Sequence, residues 1–354
     1  MNLLRDFSLT KTEFLIGIFS FLFIAVFVFT FRHMRLSDDN AISTSREINL
    51  KIDAPTDLDG LVNYLKEAEV EFNEQELFWS ARLLGWRSFK KGNYKLDGNL
   101  TYQSFLRKLA LGNQDAVPVV ILPGITQERF SMSVARAIAV DSAAMNMVFY
   151  DEAFLDEVGL SKEDLLGRML PETYSMYWTS TPREVVRRIL REFEDKVVEP
   201  YADSAEAQGK TIHDILTMAS IVEWEAKLEN EKPVIAGLYW NRIKRRMRLE
   251  ADPTVNFALG ERRRLLFEDY RHEHPYNTYL KYGLPPGPIT NPSLSTIKAT
   301  LNPQNHDYLY MVANPEGGHT FSRTFEQHQR ASEVWRKWLR EQYRIARQRE
   351  AQGE

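Results

Sequence analysis

An uncharged stretch near the N-terminus, FLIGIFSFLFIAVFVFTF at residues 14–31, restricts the structure of this chain most. As a helix it would measure about 27 Å, close to the thickness of the hydrocarbon layer of a bilayer. The core helix of a soluble protein is rarely apolar on every face over such a length. A cleaved signal peptide has a shorter apolar core and small residues at its cleavage site, whereas Phe31 and Arg32 end this stretch. The sequence therefore predicts an uncleaved transmembrane helix over 14–31, with an N-terminal segment, 1–13, on one side of the membrane.

The charges that flank this helix do not decide its orientation. Arg5 and Lys11 precede the apolar stretch, and Arg32 and Arg35 follow it. Because positively charged residues favour the cytoplasmic side, the two ends are nearly tied. The side on which the bulk of the chain lies must come from its function.

Composition excludes several function classes. The net charge of −4 does not fit a binder of the phosphate backbone, so we expect no nucleic-acid partner. The chain has no cysteine, which excludes disulfides and cysteine metal sites. Its histidines form no HExxH motif, and His272 and His274 lie two residues apart in a polar segment. We therefore expect neither a metal nor a cofactor.

Patterning after the membrane helix predicts an α+β fold in several parts. A polar linker at 32–48 leads to a small α+β module at 49–145, in which a helical pattern covers 62–86 and a strand covers 117–124. A mixed α/β domain follows at 146–330, with a rigid GLPPGPITNP loop at 283–292. A charged helix at 331–354 follows that domain. Further helices are predicted after Thr101 and Thr126 and at 182–196, 211–228 and 234–247.

The segment TMASIVEWEAK at 217–227 is the best candidate for chemistry. As a helix it presents one apolar stripe and a second stripe that carries Ser220 and Glu223 among small residues. Small neighbours leave room for a bulky ligand over the Glu223 carboxylate. The alternative is a solvated ion pair between Glu223 and Lys227, four residues apart. Glu225 points to a different side and is expected at the surface.

Several long segments, in order, resemble one family. The chain is similar to the YceG-like (MltG) family of endolytic lytic transglycosylases, and the resemblance covers almost everything after the membrane helix. The matching segments are ASIVEWEAK at 219–227, NRIKRRMRLEADPTVNFALG at 241–260, HPYNTYLKYGLPPGPITNPSLSTIKATLNP at 274–303 and YLYMVANPEGGHTFSRTFEQH at 308–328.

The resemblance implies an activity and a place. The glutamate of the family's ASIVExE motif is catalytic, and here it is Glu223. The module at 49–145 resembles a LysM-type glycan-binding domain. The family lies in the cytoplasmic (inner) membrane with its bulk in the periplasm or outside the cell. It cleaves the MurNAc-β-1,4-GlcNAc bond of nascent peptidoglycan strands to give 1,6-anhydro-MurNAc ends, which terminates glycan elongation. Contact with penicillin-binding proteins, the synthases of these strands, is also implied.

The same motifs supply candidates for binding the sugar, each with an ordinary structural alternative. The candidates are Ser220, Asp252, Asn277, Thr278, Tyr279 and His319. Asn277 and Thr278 have side chains that often cap helices. Asp252 is either a helix cap or an aid to Glu223, and His319 is either a ligand contact or a core histidine with satisfied hydrogen bonds.

The chain departs from the family pattern at three places, and two other functions stay open. Trp224 replaces a basic residue, Glu250-Ala251 replaces Gln-Ser, and Leu122-Pro123-Gly124 replaces Glu-Gly.

One alternative function is a membrane-tethered, non-catalytic scaffold that binds glycan. The other is a hydrolase that uses Asp252 as a second carboxylate and yields reducing ends.

Overall fold

A computed structural model describes residues 10–39, 41–44 and 46–352. The chain forms two compact units, Met1–Val117 with Tyr177–Thr179, and Pro118–Met176 with Ser180–Glu354. The first unit therefore ends well before residue 145, where the sequence placed the end of the module. The reason is packing: the Ile125 N–H donates to Asn291 Oδ1 at 3.0 Å, and Lys162 Nζ lies 4.1 Å from the centre of the Tyr150 ring, which ties this part of the chain to the second unit.

The first unit begins with the apolar helix α1, which contains no buried residue. It has a mean hydropathy of 2.7 and is long and apolar enough to cross a membrane. The helix is longer than predicted because Thr10 caps its N-terminus reciprocally with Glu13. Residues 1–9 of the expected N-terminal segment lie outside the described residues. The elements of this unit are α1 (Lys11–Leu36), β1 (Ile42–Ser43), β2 (Ile48–Ile52), α2 (Leu58–Glu67), β3 (Glu71–Phe72), α3 (Glu74–Leu84), β4 (Gly92–Leu96), β5 (Asn99–Leu100) and α4 (Tyr102–Leu111).

A small sheet and three helices enclose the core of this unit. Strands β2 and β4 are antiparallel, with Ile48 opposite Leu96 and Ile52 opposite Gly92. Strand β1 pairs with β3 and β5, and the fully buried Ile42 joins the core. The segment expected to be a linker is therefore partly built into the module.

The helix predicted over 62–86 is two helices, α2 and α3. Glu69 adopts a left-handed backbone conformation, with φ of 56°, which ends α2. Asn73 then caps α3 by accepting a hydrogen bond from the Glu76 N–H at 3.1 Å. The start of α4 was predicted correctly, with Thr101 as its N-cap and Gly112 as its left-handed C-cap.

The second unit is mostly helical, with two pairs of strands. Strand β6 pairs with β7, and β8 pairs with β9 in an antiparallel hairpin. Its elements are β6 (Ala116–Val120, which begins in the first unit), α5 (Gln127–Ala137), α6 (Ser142–Met147), α7 (Glu152–Val158), α8 (Lys162–Leu165), β7 (Thr173–Tyr177), α9 (Pro182–Phe193), α10 (Glu199–Glu206), α11 (Ile212–Glu225), α12 (Lys232–Lys244), α13 (Asp252–Leu259), α14 (Leu294–Leu301), β8 (Tyr310–Ala313), β9 (His319–Ser322) and α15 (Phe325–Gln352).

Helix α11 is the central element of this unit. Thr211 and Asp214 cap its start reciprocally. Two apolar clusters bury opposite sides of it: Met218 and Val222 belong to one, and Leu216 and Ala219 to the other. Because both sides are fixed by packing, the position of its last turn is fixed as well, and that turn carries Glu223.

Candidate active site

Glu223 meets the N-terminus of α14. Its Oε2 accepts hydrogen bonds from the backbone N–H of Ser293 at 2.9 Å, from the Ser293 hydroxyl at 2.8 Å and from the Thr296 hydroxyl. Ser293 is the N-cap of α14, and the N-terminus of a helix favours negative charge. The carboxylate thus lies where helix geometry best stabilises an anion.

Lys232 supplies a positive charge at the other oxygen of Glu223. Its Nζ lies 3.7 Å from Oε1, and only 5% of the Lys232 side chain and 9% of the Glu223 side chain are exposed. Lys232 also pairs with the exposed Glu229. The last turn of a helix disfavours a carboxylate, so this cation offsets an unfavourable position. The alternative pairing with Lys227 is not what the structure contains, since Lys227 is exposed and Lys232 takes its place.

Glu225 lies on the other side of the same turn and faces a cavity of about 250 Å³. The expectation that it is a surface residue is wrong, because it packs against α12 and accepts a hydrogen bond from the Tyr239 hydroxyl at 3.0 Å. Burial raises the pKa of Glu225 to about 7. The Tyr239 hydrogen bond opposes that shift, the charge of Asp252 adds to it, and Arg242 opposes it.

Asp252 and Tyr279 line the same cavity. The Tyr279 hydroxyl donates to Asp252 Oδ1 at 2.7 Å, and burial raises the pKa of Tyr279, so it stays a neutral donor. Asp252 is the first residue of α13 and makes no side-chain cap, since Ala251 holds the N-cap position. The cap interpretation of Asp252 is therefore wrong.

His319 also lines this cavity, where Glu231 fixes it. Its ring Nδ1 lies 2.7 Å from Glu231 Oε2, and its backbone N–H donates to Oε1 of the same carboxylate at 2.7 Å. The structure thus gives His319 a protein partner and a place at the edge of the cavity. Glu231 directly precedes Lys232, so the two sides of α11 are joined through this short segment.

The remaining candidates are buried and bonded to protein. Ser220 donates to the Thr217 carbonyl and accepts from the Ile289 N–H at 2.9 Å. The Asn277 amide donates to two carbonyls of its own loop and accepts from the Tyr279 N–H. Thr278 accepts from the Ala251 N–H at 3.0 Å. These three side chains hold the loops around α11 in place, and their contact with a substrate stays a prediction.

Two departures from the family pattern contact each other. The Trp224 indole N–H donates to the Gly124 carbonyl at 2.9 Å. Gly124 has a left-handed backbone, with φ of 68°, and an added Cβ would lie 3.4 Å from the Trp224 ring. The turn that contains Gly124 therefore lies against the last turn of α11.

Sequence reasoning missed the residues that touch Glu223, namely Ser293, Thr296 and Lys232. A signal for Ser293 was present, because a serine before an apolar periodic stretch is typical of an N-cap. Nothing in the sequence showed that this cap would also bind a glutamate 70 residues away. Within 10–39, 41–44 and 46–352, no group of three or more histidines and carboxylates could hold a metal ion.

Comparisons with known proteins find relatives of this chain. The "Endolytic murein transglycosylase" of Bacillus subtilis (strain 168) is 28% identical over 304 residues, which are 81% of this chain and 84% of that protein. The protein of the same name from Streptococcus pneumoniae serotype 2 is 26% identical over 283 residues, and the match spans only 51% of its length.

A solved structure and a family profile add to these matches. The crystal structure of a YceG-like protein from Listeria monocytogenes is 27% identical, with a TM-score of 0.57, and the match covers 81% of this chain and 99% of that one. The YceG-like family profile matches residues 50–334, which is well over half of the sequence. The chain belongs to the YceG-like family.

Proposed function

We propose that this protein is an endolytic murein transglycosylase, a peptidoglycan lyase with Glu223 as its catalytic acid and base. Relatives of that name in two genera support the activity. The observation that carries the role of Glu223 is the placement of its carboxylate between the N-terminus of α14 and Lys232. It cleaves the MurNAc-β-1,4-GlcNAc bond and leaves 1,6-anhydro-MurNAc ends.

The contacts of Glu223 assign different tasks to its two oxygens. Oε2 already accepts from three donors, so it fixes the side chain and stabilises the charge that forms once Oε1 has given up its proton. Oε1 lies 3.7 Å from Lys232 Nζ, beyond hydrogen-bond distance, so proton exchange with the sugar runs through Oε1. One carboxyl group can protonate the glycosidic oxygen and then accept the proton of the attacking C6 hydroxyl. Because that hydroxyl belongs to the same sugar, ring closure needs orientation rather than a second carboxylate.

Asp252 is poorly placed to be the second carboxylate of a hydrolase. It accepts from Tyr279 in the cavity of Glu225, and residues 223 and 225 point to opposite sides of α11. The candidate contacts Ser220, Asn277, Thr278, Tyr279 and His319 act, in this proposal, through the loops and the cavity edge that shape the sugar site.

Localisation and partners extend the proposal. Helix α1 spans the cytoplasmic membrane once, and the catalytic unit lies on the extracytoplasmic side, because murein is found only there. The module that follows α1 binds glycan in the manner of LysM domains. Penicillin-binding proteins, which polymerise the strands, are the expected protein partners.

The activity is tested on isolated sacculi with the full chain in detergent, by mass spectrometry of the released fragments. The parent should give anhydro-ended products, and Glu223→Gln, which keeps the shape but cannot exchange a proton, should give none. Glu229→Gln is the matched control, since it alters the other carboxylate beside Lys232 and should stay active. Reducing ends would indicate hydrolysis, and binding without cleavage by any of the three chains would indicate a scaffold.

A further inference from the structure

The end of α1 is clamped to α3 by one arginine. Arg35 makes a bidentate ion pair with Glu76, with N–O distances of 2.7 and 3.1 Å. Its guanidinium carbon also lies 3.8 Å from the centre of the Trp79 ring and 5.4 Å from the centre of the Phe31 ring. Because Phe31 ends the uncharged stretch, Trp79 is tied to the very end of the proposed membrane span.

The depth of this clamp follows from helix geometry. Arg35 lies four residues after Phe31, which is about 6 Å along a helix axis. The polar layer on each side of the hydrocarbon core is about 5–7 Å thick. The Arg35–Trp79 stack therefore lies within the headgroup layer whenever α1 spans a bilayer.

The side of α3 that faces away from the core suits this layer. The inner side buries Leu77 and Ala81. The opposite side lines an open depression, which we call the outer face of α3. Its members are Glu74, Gln75, Phe78, Trp79, Arg82 and Leu83, and the Leu83 side chain is exposed. Phe78 of this face is partly buried against the core, and tryptophan with arginine beside an exposed leucine is typical of the membrane interface.

We infer that the outer face of α3 rests on the headgroups of the phospholipid leaflet from which α1 emerges, with Arg35 as the clamp that holds it there. The occupant is lipid because this face is continuous with the end of the span through Phe31, Arg35 and Trp79. The module is then fixed against the membrane surface. This inference rests on the membrane span of the proposed function, and the experiment separates the two.

The absence of native cysteine allows single-cysteine probes in the full chain. The probe on the outer face is Leu83→Cys, and Ile24→Cys lies within α1. Lys91→Cys is the matched control: it is exposed and adjoins Gly92, at the far end of the β2–β4 ribbon from β1. This end of the β2–β4 pair, at Ile52 and Gly92, lies about 13 Å along the strands from the end at Ile48 and Leu96, which is next to β1.

Each variant carries an environment-sensitive fluorophore and is reconstituted in vesicles of phosphatidylethanolamine and phosphatidylglycerol. Headgroup spin-labelled lipid should quench the Leu83 probe strongly and the Lys91 probe little, and lipid brominated in its chains should quench the Ile24 probe. Equal quenching at Leu83 and Lys91 overturns the inference, whereas an unquenched Ile24 probe overturns the span itself. Protection of the Leu83 probe by added sacculi in place of lipid would assign this face to glycan and also overturn the inference.

The clamp is tested in the same vesicles. Arg35→Ala should lower quenching of the Leu83 probe towards the value at Lys91, because the ion pair and the ring stack are both lost. Arg46→Ala is the control of equal charge, since Arg46 is exposed and pairs with the exposed Glu69. Unchanged quenching in Arg35→Ala would remove Arg35 from its role as the clamp.

Discussion

Replacing Glu225 by glutamine should change how the stability of the protein depends on pH. Burial raises the folded-state pKa of Glu225 to about 7, from an ordinary value of 4.5. A raised folded-state pKa means that the bound proton stabilises the fold. That contribution is complete below about pH 4.5 and is lost as the pH rises through 7. Glutamine keeps an acceptor for the Tyr239 hydroxyl but carries no charge at any pH.

The size of the effect follows from the two pKa values. Between about pH 5 and pH 8 the wild-type chain should lose about 2–3 kcal/mol of unfolding free energy through this group, an upper figure because Glu225 is partly exposed. Glu225→Gln lacks this loss, so the difference between variant and wild type should grow by that amount. Titrating groups that do not interact with Glu225 are present in both chains and cancel.

Urea unfolding of the full chain in non-ionic detergent, followed by tryptophan fluorescence at several pH values, measures this difference. Glu229→Gln serves as a control of the opposite sign. Pairing with Lys232 lowers the pKa of Glu229. The stability that this group contributes is therefore present above its ordinary pKa and is lost as the pH falls. The effect is small because the Glu229 side chain is 73% exposed. Parallel profiles for wild type and Glu225→Gln would refute the view that Glu225 is held neutral by its cavity.

Three further substitutions test the surroundings of α11. Thr296→Val removes one charge-assisted hydrogen bond to Glu223 and should lower kcat about 10- to 100-fold with little change in KM. An unchanged kcat on sacculi would contradict the role of Thr296 in positioning the Glu223 carboxylate. Trp224→Phe removes the hydrogen bond to the Gly124 carbonyl and should cost about 1 kcal/mol of unfolding free energy, whereas no loss in urea unfolding would show that water replaces the indole. Ser220→Ala leaves a buried backbone N–H without its acceptor and should cost about 1–3 kcal/mol, and a neutral result in the same assay would mean that the loop relaxes.

The sequence predicted local structure best where a cap or a terminator marks it. Thr101, Thr126 and Thr211 each precede a helix, and each accepts a backbone hydrogen bond at its start. The prediction failed over 62–86 because the apolar pattern continues through a break. The break depends on the left-handed Glu69, and glutamate is not a residue that usually signals this conformation.

At the site as well, spacing within one helix was predictable from the sequence, whereas contacts with distant parts of the chain were not. Helical spacing distinguished Glu223 from Glu225, but it assigned Glu225 to the surface because the pattern of one helix says nothing about its neighbours. The Glu225 cavity is built by α12, α13 and the β8–β9 hairpin, and the partners of Glu223 come from α14. Two carboxyl groups on one turn thus differ through residues up to 94 positions further along the chain.

Two of the three departures from the family pattern, at Trp224 and at the turn that contains Gly124, form one contact. A basic side chain at position 224 would offer a charge to the neighbouring turn, whereas Trp224 offers a single N–H and a flat ring. In the turn at Leu122-Pro123-Gly124 the Gly124 carbonyl accepts that N–H, and the left-handed φ of 68° at Gly124 is a conformation that glycine adopts without strain. The guanidinium carbon of Arg262 lies 4.8 Å from the centre of the Trp224 ring. The contacts of Trp224 therefore help to hold the last turn of α11, which carries Glu223 beside α14.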